Sequence, residues 1–233
     1  LQRHAGDWLT THPSREDIVR RYMRHSWRLT DAAMTALADD GTLDPSGEGE
    51  AQEDTEGASE EALRLYERRY RETLSALAET GARRVVDLGC GEGKFLRELL
   101  ADRRYESILG VDVSVAALTR ASRRLRLDRQ SEAARERLTL QQGSALYRDA
   151  RLDGYDAIVL MEVVEHIDPR RWPALEDAVF SSARPQTVVV TTPNREYNAV
   201  WPSLPAADVR HADHRFEWTR GEFATWAERV ASE

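Results

Sequence analysis

Val85-Val86-Asp87-Leu88-Gly89-Cys90-Gly91-Glu92-Gly93 is the stretch on which the fold turns. An apolar run ends in an acid, three alternating glycines follow, and residues 95–100 then recur at helical spacing. This predicts a buried parallel strand over residues 84–88, a tight turn and a helix. Glycines let the backbone approach a ligand closely, and the first turn of the helix offers amides that the helix does not use. The dinucleotide fingerprint G-x-G-x-x-G is not met, because position 94 is Lys94. Asp87 would also repel a pyrophosphate, so the turn suits a cationic or amino-bearing ligand.

The same alternation continues downstream. Residues 107–111, 137–141, 157–161 and 187–191 read as strands, and residues 115–127, 169–183 and 220–230 as helices. Such strand–helix alternation with continuous apolar strands predicts an α/β fold with a mostly parallel, doubly wound sheet. Upstream, Leu63, Tyr66, Tyr70, Leu74 and Leu77 share one face of a helix over residues 60–80, closed by Gly81. Ser14-x-x-Asp17 opens an earlier amphipathic stretch through Ile18, Tyr22, Met23, Trp27, Met34 and Leu37. Residues 1–40 are therefore an amino-terminal helical segment. Residues 41–59 are expected to be an acidic mobile linker, and residues 60–233 the main domain.

Charge confirms that division. The net charge of −8 comes from eight acids within residues 41–61, where no base occurs, leaving 33 acids to balance 33 bases. The balance neither excludes nor demands a nucleic-acid partner. Lys94 is the only lysine, so nearly every base is an arginine suited to forked contacts with phosphates. The single cysteine, Cys90, excludes an internal disulfide framework and fits a reducing cytoplasm. No membrane span or signal peptide is legible. The start at Leu1, without methionine, is what a segment of a longer protein would show.

The chemistry concentrates at Ile158-Val159-Leu160-Met161-Glu162-Val163-Val164-Glu165-His166. A buried strand ends, two carboxylates and an imidazole follow, and Asp168-Pro169 starts the next helix. Those groups sit on the carboxyl edge of the sheet, where open α/β folds place ligands. One turn of coil would bring them to one side, as most of an oxygen-rich site for Mg²⁺ or Mn²⁺. Acids near a helix start are equally the ordinary response to the macrodipole. On the cofactor side, Asp112 ends the second strand with Ser114 just beyond it, and Gly143-Ser144 follows the third. A carboxylate at Asp112 can accept two ribose hydroxyls.

Asp87 with Gly89 and Gly91, Asp112 with Ser114, and Gly143-Ser144 together resemble the class I S-adenosylmethionine-dependent methyltransferases over residues 82–200. The resemblance implies that these residues hold S-adenosylmethionine, Asp112 at its ribose and Gly143-Ser144 near the base. Glu162-x-x-Glu165-His166, Thr191-Thr192-Pro193-Asn194, Tyr197-Asn198 and His211-Ala212-Asp213-His214-Arg215-Phe216-Glu217-Trp218 resemble, more narrowly, the HEN-type RNA 3′-terminal 2′-O-methyltransferases. That resemblance implies one divalent cation on Glu162, Glu165, His166 and His214, with His166, Glu162 and Glu165 in catalytic roles; the counterpart of His211 is less clear. The substrate implied is an RNA 3′ end with a free 2′,3′-diol, whose two oxygens the cation would hold. The amino-terminal helices resemble the segment that precedes the methyltransferase domain in bacterial members, which implies cytoplasmic RNA repair alongside a polynucleotide kinase-phosphatase. Class I sheets usually finish with two further strands, so a chain ending at Glu233 is expected to leave the sheet edge open. A metal-free small-molecule O-methyltransferase using His166 as base, and a non-catalytic adaptor in a repair complex, are the competing readings.

Overall fold

The computed structural model of the chain describes residues 54–200, 209–211 and 213–232. The expected amino-terminal helical segment over residues 1–40, the acidic stretch up to residue 53 and residues 201–208 lie outside the described residues. The chain divides into two units, Leu1–Glu56 and Gly57–Glu233, and the sheet and the site belong to the second.

Five parallel strands form the sheet: β1 (Arg84–Leu88), β2 (Ser107–Asp112), β3 (Leu138–Gln142), β4 (Ala157–Met161) and β5 (Thr187–Thr191). Their order is β3-β2-β1-β4-β5. The order reverses beside β1, and there the carboxyl ends of β1, β2 and β4 open a crevice. Alternation along the strands serves two cores. Val86, Leu88, Leu109, Val111, Ile158 and Leu160 face one side. Val85, Ile108, Ala157 and Val159 face the other. Both faces of a parallel sheet need cover, which is why its strands read as unbroken apolar runs.

Helices supply that cover. α1 (Asp54–Thr80) and α2 (Lys94–Ala101) bring Leu77, Phe95, Leu96 and Leu99 onto the second face. α3 (Val115–Arg124) buries Ala117 and Ala121. The first face takes Leu175 and Val179 from the helical run after β4, and Trp226 and Val230 from the last helix. Each such side chain, fully buried, contributes about 1.5–3 kcal/mol. Among the described residues β5 is an edge strand; Val188 and Val190 border an apolar groove with Phe223 and Trp226.

Several boundaries differ from the sequence reading by one to three residues, and three departures have a physical reason. The helix before β1 is described from Asp54, ahead of the expected start at Glu60. Carboxylates at a helix start are favoured by the macrodipole, which outweighs the missing apolar stripe there. The third strand starts one position late, because a short helix α4 (Glu132–Arg137) capped by Ser131 runs directly into it. Arg137 belongs to neither stripe; its guanidinium donates to the carbonyls of Tyr105, Leu100 and Asp102 at 2.8, 3.3 and 2.6 Å and closes the end of α2. The helix expected over residues 169–183 is a 3₁₀ turn, then α5 (Trp172–Glu176), then a π-helical stretch, Asp177–Ala183, ended by Arg184. The last helix, α6, spans Arg220–Ser232.

Candidate active site

The turn after β1 is stapled to β2. Gly89 and Cys90 both donate their amides to the Val111 carbonyl, at 2.7 and 3.0 Å. Gly89 lies at φ +94°, and a Cβ there would stand 2.5 Å from Val163 Cγ2. Only glycine lets this turn lie flat against the segment after β4. The Asp112 carboxylate is fixed by two amides, Gly91 on Oδ2 and Ser114 on Oδ1, each at 2.8 Å. Each oxygen keeps a lone pair, so the carboxylate still has capacity for two hydroxyl donors. Ser114 itself caps α3 by accepting from the Ala117 amide at 3.2 Å. Gly143 donates to the Asp112 carbonyl at 3.1 Å, and Ser144 Oγ accepts from Leu146. The expected cofactor residues therefore line the ends of β1, β2 and β3 in one connected set.

Asp87 is 2% exposed, and its Oδ2 has no hydrogen-bond partner. Burial first, and the Asp112 charge second, push its pKa up to about 7. It borders a cavity of about 360 Å³ with Tyr66, Tyr70, Gly89, Gly91, Lys94, Met161 and Glu162. A buried carboxylate lacking a donor is costly unless a cationic group arrives to pair with it. A larger cavity of about 710 Å³ opens among Arg97, Arg103, Arg124, Arg126 and Arg137. It lies at the amino end of the strands, away from this chemistry, and Arg137 is already held by carbonyls.

Beyond β4 the chain turns sharply. Glu162 takes φ +54°, unusual for a residue with a side chain, while its amide continues the β4–β5 ladder to the Thr191 carbonyl at 2.9 Å. One 3₁₀ turn follows, Val164–His166, which is the single coil the spacing required. Ligand atoms of Glu165, His166 and His214 lie within 4.8 Å of one another. The fourth expected ligand, Glu162, does not join them. Its Oε1 accepts from Thr191 Oγ1 at 2.9 Å, and its Oε2 pairs with Arg69 Nη2 of α1 at 2.8 Å.

His214 reaches the turn because its own segment is tied down. The Arg215 amide donates to the Glu165 carbonyl at 2.7 Å. Phe216 and Trp218 pack on Trp172, with ring centres 4.7 Å away in each case. His214 Nδ1 contacts Glu217 Oε1 at 2.7 Å, and His166 Nδ1 lies 3.3 Å from the Asp213 carbonyl. With each Nδ1 so engaged, Nε2 is the nitrogen left for a cation, the usual arrangement of metal-binding histidines. His211 stays outside the cluster, its Nδ1 accepting from the Asp213 amide.

Glu165 is fully buried. Its Oε2 accepts from Thr192 Oγ1 at 3.1 Å, and its Oε1 has no partner. Burial, with the Glu162 charge adding, raises its pKa to about 8. Partial burial of the His166 ring holds that imidazole below its ordinary value, so it is neutral at pH 7, the form that ligates metals. Burial alone would raise Glu217, but hydrogen bonds from Asn198, His214 and the Arg210 amide hold it below the usual carboxylate range. An orphaned buried oxygen beside two imidazoles is a donor set that fits a divalent cation. The sequence allowed His214 to be a loop histidine hydrogen-bonded to Glu217, as an alternative to metal ligation, and the structure makes that contact; Arg69 was not found. Glu217 had a signal, its i+3 spacing from His214; Arg69 had none.

A family model described as "Methyltransferase domain" matches residues 61–230. Another, described as "RNA repair, ligase-Pnkp-associating, region of Hen1", matches residues 1–38. The crystal structure of the methyltransferase domain of bacterial CtHen1 superposes with a TM-score of 0.66 at 48% identity, over 72% of this chain and 84% of that one. A small RNA 2′-O-methyltransferase of Mus musculus is 37% identical over 173 residues, 72% of this chain and 43% of its own length. One from Arabidopsis thaliana is 34% identical over 182 residues, 71% of this chain and 19% of its own length. The chain thus spans less than half the length of these two relatives.

Proposed function

From the chain's membership of the Hen1 family of methyltransferase-domain proteins, we propose that it transfers a methyl group from S-adenosylmethionine to the 2′-hydroxyl of the 3′-terminal nucleotide of RNA, with a divalent cation. The observation that carries this reading is the buried Glu165 oxygen without a partner, within ligand reach of His166 and His214 beside the cofactor cavity. S-adenosylmethionine presents an ammonium, a ribose diol and an adenine. Asp87 would pair with the first, Asp112 accept from the second, and Gly143-Ser144 border the third.

Glu165, His166 and His214 would hold the cation, and Glu162 would complete the set by turning from Arg69. Such a cation supplies Lewis acidity, lowering the pKa of a bound hydroxyl near neutral pH. Glu217 keeps His214 Nδ1 occupied and its ring oriented. The close approach of Gly89 to Val163 brings the turn after β1 against the segment of Glu165 and His166, which supports in-line transfer between them. A vicinal diol is bidentate, so the same site would select a free terminus without reading bases. The match at residues 1–38 supports a role in RNA repair, with that segment docking a ligase and kinase-phosphatase assembly in the cytoplasm. No helix among the described residues is long and apolar enough to cross a membrane.

Methyl transfer from labelled cofactor to RNAs ending in a diol, a 3′-phosphate, a 2′-deoxy or a 3′-deoxy nucleotide tests the reading. Only the diol should be a good acceptor, chelator should abolish turnover, and Mg²⁺ or Mn²⁺ should restore it. Robust transfer in excess chelator, or equal rates on the diol and the 3′-phosphate, would overturn the cation mechanism, and no transfer to any RNA would favour the small-molecule enzyme.

A further inference from the structure

Arg69 of α1 pairs with Glu162, which lines the cavity beside Asp87. It holds Glu162 at 2.8 Å, with side chains only 16% and 19% exposed, so the pair is largely shielded from water. Its guanidinium also lies 5.3 Å from the ring centre of Tyr66, which lines the cavity beside Asp87. Glu162 lines the same cavity. The amino-acid end of S-adenosylmethionine is a zwitterion. If Asp87 pairs with its ammonium, its carboxylate still needs a cation. Lys94 is one candidate, 5.5 Å from the Tyr66 ring, but it is exposed. Arg69 is shielded, and its planar fork matches a carboxylate through two parallel hydrogen bonds.

We infer that the cofactor carboxylate takes Arg69 from Glu162, freeing Glu162 to join Glu165, His166 and His214, so that cofactor and cation bind cooperatively through Arg69. Each ligand alone meets a penalty. A cation that draws Glu162 away leaves a shielded guanidinium without its partner, and a cofactor that draws Arg69 away leaves a shielded carboxylate. Together they remove both penalties, and the coupling must be reciprocal. The order that follows is chemically sensible: the cation site completes itself when the methyl donor is in place.

The inference rests on the proposed reading of Glu162 as a cation ligand, and calorimetry of Mn²⁺ binding to the full chain separates the two. The titration is run on the protein alone, saturated with S-adenosylhomocysteine, and saturated with 5′-methylthioadenosine, which has the same nucleoside and no amino-acid end. S-adenosylhomocysteine should tighten Mn²⁺ by about fivefold or more, within the usual range of such couplings. Methylthioadenosine should leave it unchanged. R69M should lose the difference, R69K should keep part of it, and K94M should keep it all. No Mn²⁺ binding in any arm overturns the cation reading itself, and the inference with it. Mn²⁺ binding that is equally tight with and without S-adenosylhomocysteine overturns the inference alone. So does a coupling that survives R69M or disappears in K94M, since Lys94 would then hold the carboxylate.

Discussion

Replacing Asp87 by Asn asks whether a buried charge is kept for the cofactor. The folded chain raises this carboxyl from 3.8 to about 7, chiefly through burial. At 1.36 kcal/mol per pKa unit, holding the charge in the folded state costs on the order of 4 kcal/mol. Between pH 4 and pH 7 the folded chain keeps a proton on Asp87 that the unfolded chain has released. Stability therefore falls as pH rises through that window and levels off above it. Asn cannot ionise and escapes this penalty. Melting curves of both proteins from pH 5 to pH 8 should diverge, the Asn variant gaining on the order of 10 °C relative to wild type at the alkaline end. Taking the difference between the two proteins cancels Glu165, whose raised pKa imposes the same trend on both. Cofactor binding should move oppositely. Wild-type affinity for S-adenosylhomocysteine should weaken below pH 7, where Asp87 must first lose its proton, while D87N should bind more weakly at pH 8 and show no such dependence. Parallel melting curves across the range would refute the argument, because they would mean that Asp87 is solvated or already paired.

Asp112→Ala should lower S-adenosylhomocysteine affinity by about 1–3 kcal/mol in calorimetry, since both ribose hydroxyls lose their acceptor; unchanged affinity would remove Asp112 from the site. It should also melt earlier, because the Gly91 and Ser114 amides lose their partner. Glu217→Ala should weaken Mn²⁺ binding by about 10–100-fold while leaving cofactor affinity intact, the usual cost of removing the group behind a ligating histidine. An equal loss on both ligands would mean that Glu217 supports the fold more than the ligand. Gly89→Ala should lower the melting temperature and impair cofactor binding together, because its Cβ would stand 2.5 Å from Val163 Cγ2 at a φ of +94°; a variant that binds normally would show that the contact relaxes freely.

What the sequence made legible follows from what each element needs. β1, β4 and β5 are found to the residue, because each carries a run of consecutive apolar residues, the mark of a parallel strand covered on both faces, although β5 at the edge is only half-buried. The π-helical end of the 169–183 helix has the same apolar stripe an α-helix would have, so its different hydrogen bonding leaves no mark in composition. Glu165, His166 and His214 announce themselves as residue types, and their neighbours in sequence or in the resemblance bring them together. Arg69 does not. An arginine on an amphipathic helix reads as solvated surface, and nothing in its own neighbourhood points to Glu162, a partner supplied by the far side of the sheet's crevice. Long-range ion pairs are set by topology, and topology is the information that local pattern lacks.

The backbone at Glu162 shows how the two halves of the site constrain one another. Its left-handed conformation is disfavoured for a side chain with a Cβ, and such strain persists only where surrounding contacts over-determine it. Here three do: the amide on the Thr191 carbonyl, the carboxylate shared by Thr191 and Arg69, and Val163 pressed against Gly89. These contacts hold the turn that carries Glu162, Glu165 and His166 beside the end of β1. The sheet order makes this possible, because β1 and β4 are neighbours at the point where the strand order reverses.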